Sequence, residues 1–172
     1  LFGDYNPGGR TTVTWPASMD QLPPMLDYDI RRGRTYMYAK GTPLYPFGHG
    51  LSYTTFRFAN LRTDKPGMDA GGQLVVSLDV TNTGRVAGDA VPQLYVRHLK
   101  SKVERPALQL AGFSRVRVEP GQTKTVQLPL KAAQLAYWDT GRKAFLVEPG
   151  PIQLMIGASS TDLRLRKDVP VQ

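Results

Sequence analysis

Asp27 and Asp29 are the one close pair of carboxyl groups in the first third of the chain, and paired carboxyls are the simplest equipment for acid–base catalysis. Two residues apart in an extended segment, they project to the same side, roughly 6 to 7 Å apart at the backbone. Retaining two-carboxylate hydrolysis needs groups about 5 to 5.5 Å apart, one of them kept protonated by its surroundings. No pocket can be placed around this pair, so turn and hydrogen-bonding roles are expected for both.

The other reactive residue types also lack partners. His49 and His98 are the only histidines, and no motif brings further ligands to either, so no metal site is expected. Cysteine is absent, which excludes disulfides and thiol catalysis. No serine has the G-x-S-x-G setting of a hydrolase nucleophile. Asn6-Pro7-Gly8-Gly9 is glycine-rich, yet it lacks the lysine and helix of a phosphate loop and reads as a turn. The sequence therefore predicts no catalytic residue and no cofactor. Tyr137 and Trp138 are candidates for stacking on a sugar face. Adjacent residues on a strand point to opposite faces, so at least one of them is expected in the core.

The net charge of +8 is uneven: residues 1–55 carry +1 and the remainder +7. A basic surface could attract a polysaccharide or lignin-like polymer. No dense Lys/Arg run or aromatic ladder accompanies it, so nucleic acid is not expected. No apolar run approaches the roughly 18 to 20 residues that cross a bilayer, and no membrane association is expected. Leu1 in place of a starting Met reads as the beginning of a piece cut from a longer protein.

The elements that would position these residues change character at Tyr45-Pro46-Phe47-Gly48-His49-Gly50-Leu51-Ser52-Tyr53-Thr54. Before this seam, Pro23-Pro24 forbids a continuous helix. Arg10 to Trp15 reads as a short strand, and Gly33 to Tyr38 reads as extended, with Tyr36 and Tyr38 on one face. The aromatics Tyr45, Phe47 and Tyr53 are expected to anchor this linker to the β-domain, with Gly48 and Gly50 permitting the bend. After the seam, short alternating runs are separated by Gly, Pro and Asn. Leu74, Val76, Leu78 and Val80 form the cleanest strand pattern. Further strands are expected near 54–63, 90–97, 123–130, 152–156 and 163–166, and Lys131 to Leu135 reads as one helical turn. About seven strands without a long helical period predict an all-β fold, an immunoglobulin-like, fibronectin type III-like antiparallel sandwich over residues 54–172, preceded by an extended linker segment over 1–53.

The motifs GDYNPGGRTTVTWP at Gly3 to Pro16, LPPMLDYDI at Leu22 to Ile30, GRTYMY at Gly33 to Tyr38 and PLYPFGHGLSYTTF at Pro43 to Phe56 resemble the C-terminal part of glycoside hydrolase family 3. RPALQLAGFSRVRVEPGQTKTV at Arg105 to Val126 and VEPGPIQLMIGASSTDLRL at Val147 to Leu165 look like that family's fibronectin type III-like domain. The resemblance implies that residues 1–53 are the tail of an α/β sandwich domain and its linker. It also implies a parent β-glucosidase or β-xylosidase, secreted or periplasmic, whose aspartate nucleophile and acid/base glutamate lie in preceding domains. The expected partners are those catalytic domains, and a homodimer is a further possibility if apolar linker groups are left uncovered. The same resemblance makes the loop from His98 to Arg105 a candidate for the substrate rim, with His98, Lys100, Lys102 and Arg105 as its residues.

Overall fold

A computed structural model describes residues 3–172; Leu1 and Phe2, the first residues of the expected linker, lie outside the described residues. Among the described residues, eleven strands follow a segment, residues 3–55, with little regular structure. They are β1 (Phe56–Thr63), β2 (Gln73–Asn82), β3 (Gly88–Ala90), β4 (Gln93–His98), β5 (Gln109–Phe113), β6 (Val116–Val118), β7 (Thr123–Lys131), β8 (Tyr137–Asp139), β9 (Ala144–Leu146), β10 (Gly150–Gly157) and β11 (Leu163–Val171). One sheet has the order β1-β2-β7 and the facing sheet β11-β10-β4-β5, with every pairing antiparallel. The expected antiparallel β-sandwich is the fold of the chain.

Alternation writes the core. Leu74, Val76, Leu78 and Val80 of β2 are fully buried, and in register across β7 stand Leu130, Leu128 and Val126. Leu94 and Val96 of β4, with Ile152, Leu154 and Ile156 of β10, supply the facing layer. At 25 cal/mol per Å², each such aliphatic side chain contributes about 1.5–3 kcal/mol when taken out of water. The third expected strand, 90–97, is interrupted at Pro92, which has no N–H to give a ladder: β3 ends before it and β4 begins after it. Residues Ala132–Leu135 form the expected helical turn, of 3-10 type.

The segment before the sandwich differs from its sequence reading in two places. Arg10 to Trp15 is no strand; Trp15 makes a single antiparallel bridge to Tyr45. Thr35–Tyr38 is not extended but forms a one-turn helix, α1. It opens at Thr35 with φ of 59°, a left-handed value that a β-branched residue adopts only under constraint. The turn brings Tyr36 against the sandwich, half-buried like Met37 and Tyr38, while Thr35 stays exposed.

Candidate functional site

Two large strand side chains face away from the sandwich core and yet are buried. Tyr95 of β4 and Met155 of β10 stand directly opposite each other on the outer face of the second sheet, with Leu108 beside them. Their cover comes from the N-terminal segment: Tyr36 and Phe47 pack on them, together with Leu110 and Leu163. The rings of Tyr36 and Phe47 are stacked, 4.2 Å between centroids and 18° between planes. Tyr36 also meets Tyr95 edge-on at 6.1 Å. Edge-to-face and offset pairs of this kind contribute about 0.5–1.5 kcal/mol beyond the area they bury.

Hydrogen bonds fix the same contact. Leu110 N–H donates to the Tyr36 hydroxyl at 2.9 Å, and Ala107 N–H donates to the Met37 carbonyl at 3.0 Å. The buried Gln93 amide donates to the carbonyls of Gly48 (3.0 Å) and Ala158 (2.9 Å), while its oxygen accepts from the Tyr95 hydroxyl at 2.5 Å. Burial of that phenol raises its pKa far above the usual tyrosine range, with the Tyr36 phenol adding to the shift. Gly48 has φ of +80°, and a Cβ on it would stand 2.1 Å from Gln93 Oε1. Only glycine allows the chain to pass there.

The segment also exposes many large apolar groups. Met25 (87% exposed), Leu26, Tyr28 and Met19 stand out to solvent, as do Trp15, Leu22, Tyr45, Leu51 and Tyr53. The sandwich itself exposes large apolar groups at fewer places, among them Phe113, Trp138 and Phe145. A cleft of about 590 Å³ opens within the N-terminal segment, with Thr14, Leu22, Arg34, Tyr36 and Phe47 among its walls and Ser160 and Thr161 of the β10–β11 loop closing it. Of the three expected anchors, Phe47 alone is an aromatic packed against the sandwich. Tyr45 is 47% and Tyr53 58% exposed; the Tyr45 ring turns to His49, 5.4 Å away.

The candidate rim residues separate. Arg105 points inward: its guanidinium is 3.5 Å from the Glu148 carboxylate, donates to the Leu135 carbonyl at 3.0 Å and lies over the Tyr137 ring at 4.6 Å. Glu148 also accepts from Ser101 Oγ at 2.5 Å and Lys102 N–H at 2.7 Å. Burial pushes the Glu148 carboxyl up, but these hydrogen bonds and the Arg105 charge outweigh it and hold it below its ordinary value. His98, expected in an exposed loop, ends β4 half-buried; burial and the Arg105 charge lower its pKa, partly offset by Glu148. Lys100 and Lys102 have exposed side chains.

Tyr137 and Trp138 do not divide into one core and one surface residue. They lie on the β8–β9 hairpin outside both large sheets, so alternation has no core to point into. Tyr137 is half-buried under Arg105, and Trp138 is half exposed, edge-on to Phe145 at 5.2 Å. Asp27 and Asp29 are bound to arginines: Arg32 lies 3.2 Å from Asp27 and Arg31 2.7 Å from Asp29. Hydrogen bonds from Arg31 hold Asp29 at a pKa of about 2. It therefore cannot serve as a protonated acid. Among the described residues, no three His, Asp or Glu side chains converge as metal ligands.

Fold and exposed apolar groups together define an immunoglobulin-like sandwich module with an N-terminal segment strapped across one sheet. Residues 1–53 match the glycosyl hydrolase family 3 C-terminal domain, and residues 90–160 match the fibronectin type III-like domain. The chain belongs to glycoside hydrolase family 3 and corresponds to the C-terminal part of its β-glucosidases and β-xylosidases. It is 38% identical to the thermostable beta-glucosidase B of Acetivibrio thermocellus over 99% of the chain and 24% of that protein. It is 41% identical to a beta-xylosidase of Formosa agariphila over 93% of the chain and 22% of that protein. The chain thus spans about a quarter of the length of these relatives. The beta-D-glucoside glucohydrolase of Trichoderma reesei superposes on all of it with a TM-score of 0.88 at 29% identity, over 28% of its own length.

Gln93, Tyr95 and Glu148 were not legible as positioning residues in the sequence. A signal for Gln93 and Tyr95 exists: Leu94-Tyr95-Val96 and Leu154-Met155-Ile156 are consecutive apolar runs, the pattern of strands covered on both faces.

Proposed function

We propose that the chain is a non-catalytic scaffold within a β-glycosidase, docking through residues 3–55 onto the catalytic domains of its parent. The observation that carries this is the concentration of exposed apolar side chains, from Trp15 to Tyr53, on a segment stapled to the sandwich. Isolated surface hydrophobes need no explanation, but so many on one segment point to an interface. The division of labour falls at 53/54: residues 1–53 are the tail of the α/β domain and linker, and 54–172 the fibronectin type III-like domain. The parent hydrolyses β-glucosides or β-xylosides. It works outside the cytoplasm, a reading supported by the similarity to the periplasmic beta-glucosidase of Salmonella typhimurium, 36% identical over 95% of the chain and 23% of that protein. Purified chain should show no turnover of aryl β-glucosides or β-xylosides. Turnover that persists through repeated purification would overturn the reading.

A second reading rests on Trp138 and Phe145, exposed aromatics paired across a hairpin on the basic part of the chain. There the module also adsorbs polysaccharide or lignin. Retention on insoluble polymer at low and high salt tests it, because charge-driven adsorption fades with salt and stacking does not. Lys100 and Lys102 remain the exposed basic groups of the candidate rim loop and belong to the same test.

A further inference from the structure

Arg10 is built into position more firmly than its bonds account for. Its side chain lies across the backbone of Gly50, where a Cβ would come within 2.4 Å of Arg10 Nη1 and 2.3 Å of the Gly9 carbonyl oxygen. The bare glycine is the bed on which the guanidinium rests. Yet the sole hydrogen bond of Arg10 among the described residues runs from Nη1 to the adjacent Gly9 carbonyl, at 2.8 Å. Its Nε is buried with no acceptor. No carboxylate among the described residues pairs with it. Arg115 adds to the imbalance, for it repels Arg10 while being committed itself to Asp89 and Tyr5. Burial and that repulsion both lower the pKa of Arg10.

A half-buried guanidinium without a counter-charge is costly, and proteins retain one where a carboxylate completes it. The planar fork of arginine is suited to bidentate carboxylate binding. Arg10 is close in the chain to exposed apolar groups: its neighbour Thr11 donates its N–H to the His49 carbonyl, and Val13, Trp15 and Leu51 are exposed.

We propose that Arg10 is the carboxylate receptor of the docking face, receiving an aspartate or glutamate side chain from the catalytic part of the same family 3 protein. This rests on the docking reading above and gives that interface a polar anchor. Nη2, which makes no hydrogen bond among the described residues and is not among the buried atoms, is the group an incoming carboxylate would engage.

The test compares Arg10→Met and Arg10→Lys in the 172-residue chain and in the complete parent protein, with Met25→Asp/Leu26→Asp as the docking control. Thermal unfolding and amide exchange over residues 3–55 are the readouts. In the isolated chain Arg10→Met should leave the unfolding midpoint unchanged or raised, because it removes an unpaired charge and keeps the apolar stem. In the complete protein it should speed exchange over 3–55 by about tenfold or more, as expected when one partner of a buried charge pair is cut away. Arg10→Lys should fall between. Equal acceleration in both proteins would assign Arg10 to the internal structure of the segment and overturn the proposal. If the control loosens residues 3–55 in the complete protein and Arg10→Met does not, the carboxylate is refuted and docking stands. If the control too has no effect, the docking reading fails and takes the receptor with it.

Discussion

Tyr36 lies flat on Phe47, 4.2 Å between ring centroids, although the two belong to different turns of a segment with almost no regular structure. Together they roof Tyr95 and Met155, which the second sheet would otherwise present to water. Cutting this roof should release the segment. Tyr36→Ala should cost about 2–4 kcal/mol by loss of buried aromatic area, and Tyr36→Phe about 1 kcal/mol by loss of the bond from Leu110 N–H. Urea unfolding measures both, and limited proteolysis should remove the first forty or so residues of Tyr36→Ala while sparing the native chain.

Gly48 is the second point of control. An alanine there meets Gln93 at once and must hold a left-handed backbone, so Gly48→Ala should destabilise by more than about 2 kcal/mol. Gln93→Ala should reproduce part of the loss, since it strands the Tyr95 hydroxyl and two carbonyls. A double-mutant cycle should show strong coupling between the two positions.

Glu148 makes the 99–105 loop sensitive to acid. Its folded pKa is lowered, so its stabilising contribution is present above the ordinary carboxylate range, near pH 4.3, and is lost as pH falls below it. Protection of the Ser101 to Arg105 amides, measured as exchange relative to the intrinsic rate at each pH, should fall from pH 5 to pH 3. Glu148→Gln should lower it at pH 7 and flatten the pH dependence.

Trp138→Ala should change stability by less than about 1 kcal/mol, because the ring is half exposed on a hairpin outside the core. If the second reading holds, the same variant loses retention on insoluble polymer at high salt while its melting temperature is unchanged.

Much of the sandwich was legible in the sequence because its strands obey period-two alternation: Leu74, Val76, Leu78 and Val80 carry the cleanest pattern and are all fully buried. The wrapped segment was not, because Tyr36 reaches its partners through a four-residue helix that no propensity specifies. Arg105 looked like a loop cation, since its partner Glu148 lies 43 residues away and only the fold brings them together. Tyr137 and Trp138 followed the alternation rule into error because a three-residue strand on a separate hairpin has no buried side.

The central claim is that residues 3–55 form a docking face for the catalytic part of the protein. Sedimentation velocity on the purified chain mixed with that part, expressed separately, tests it most directly. The account predicts a one-to-one complex that Met25→Asp/Leu26→Asp abolishes without altering the circular dichroism of the chain. Separate boundaries for the two native components at tens of micromolar, or a complex indifferent to that substitution, would contradict it.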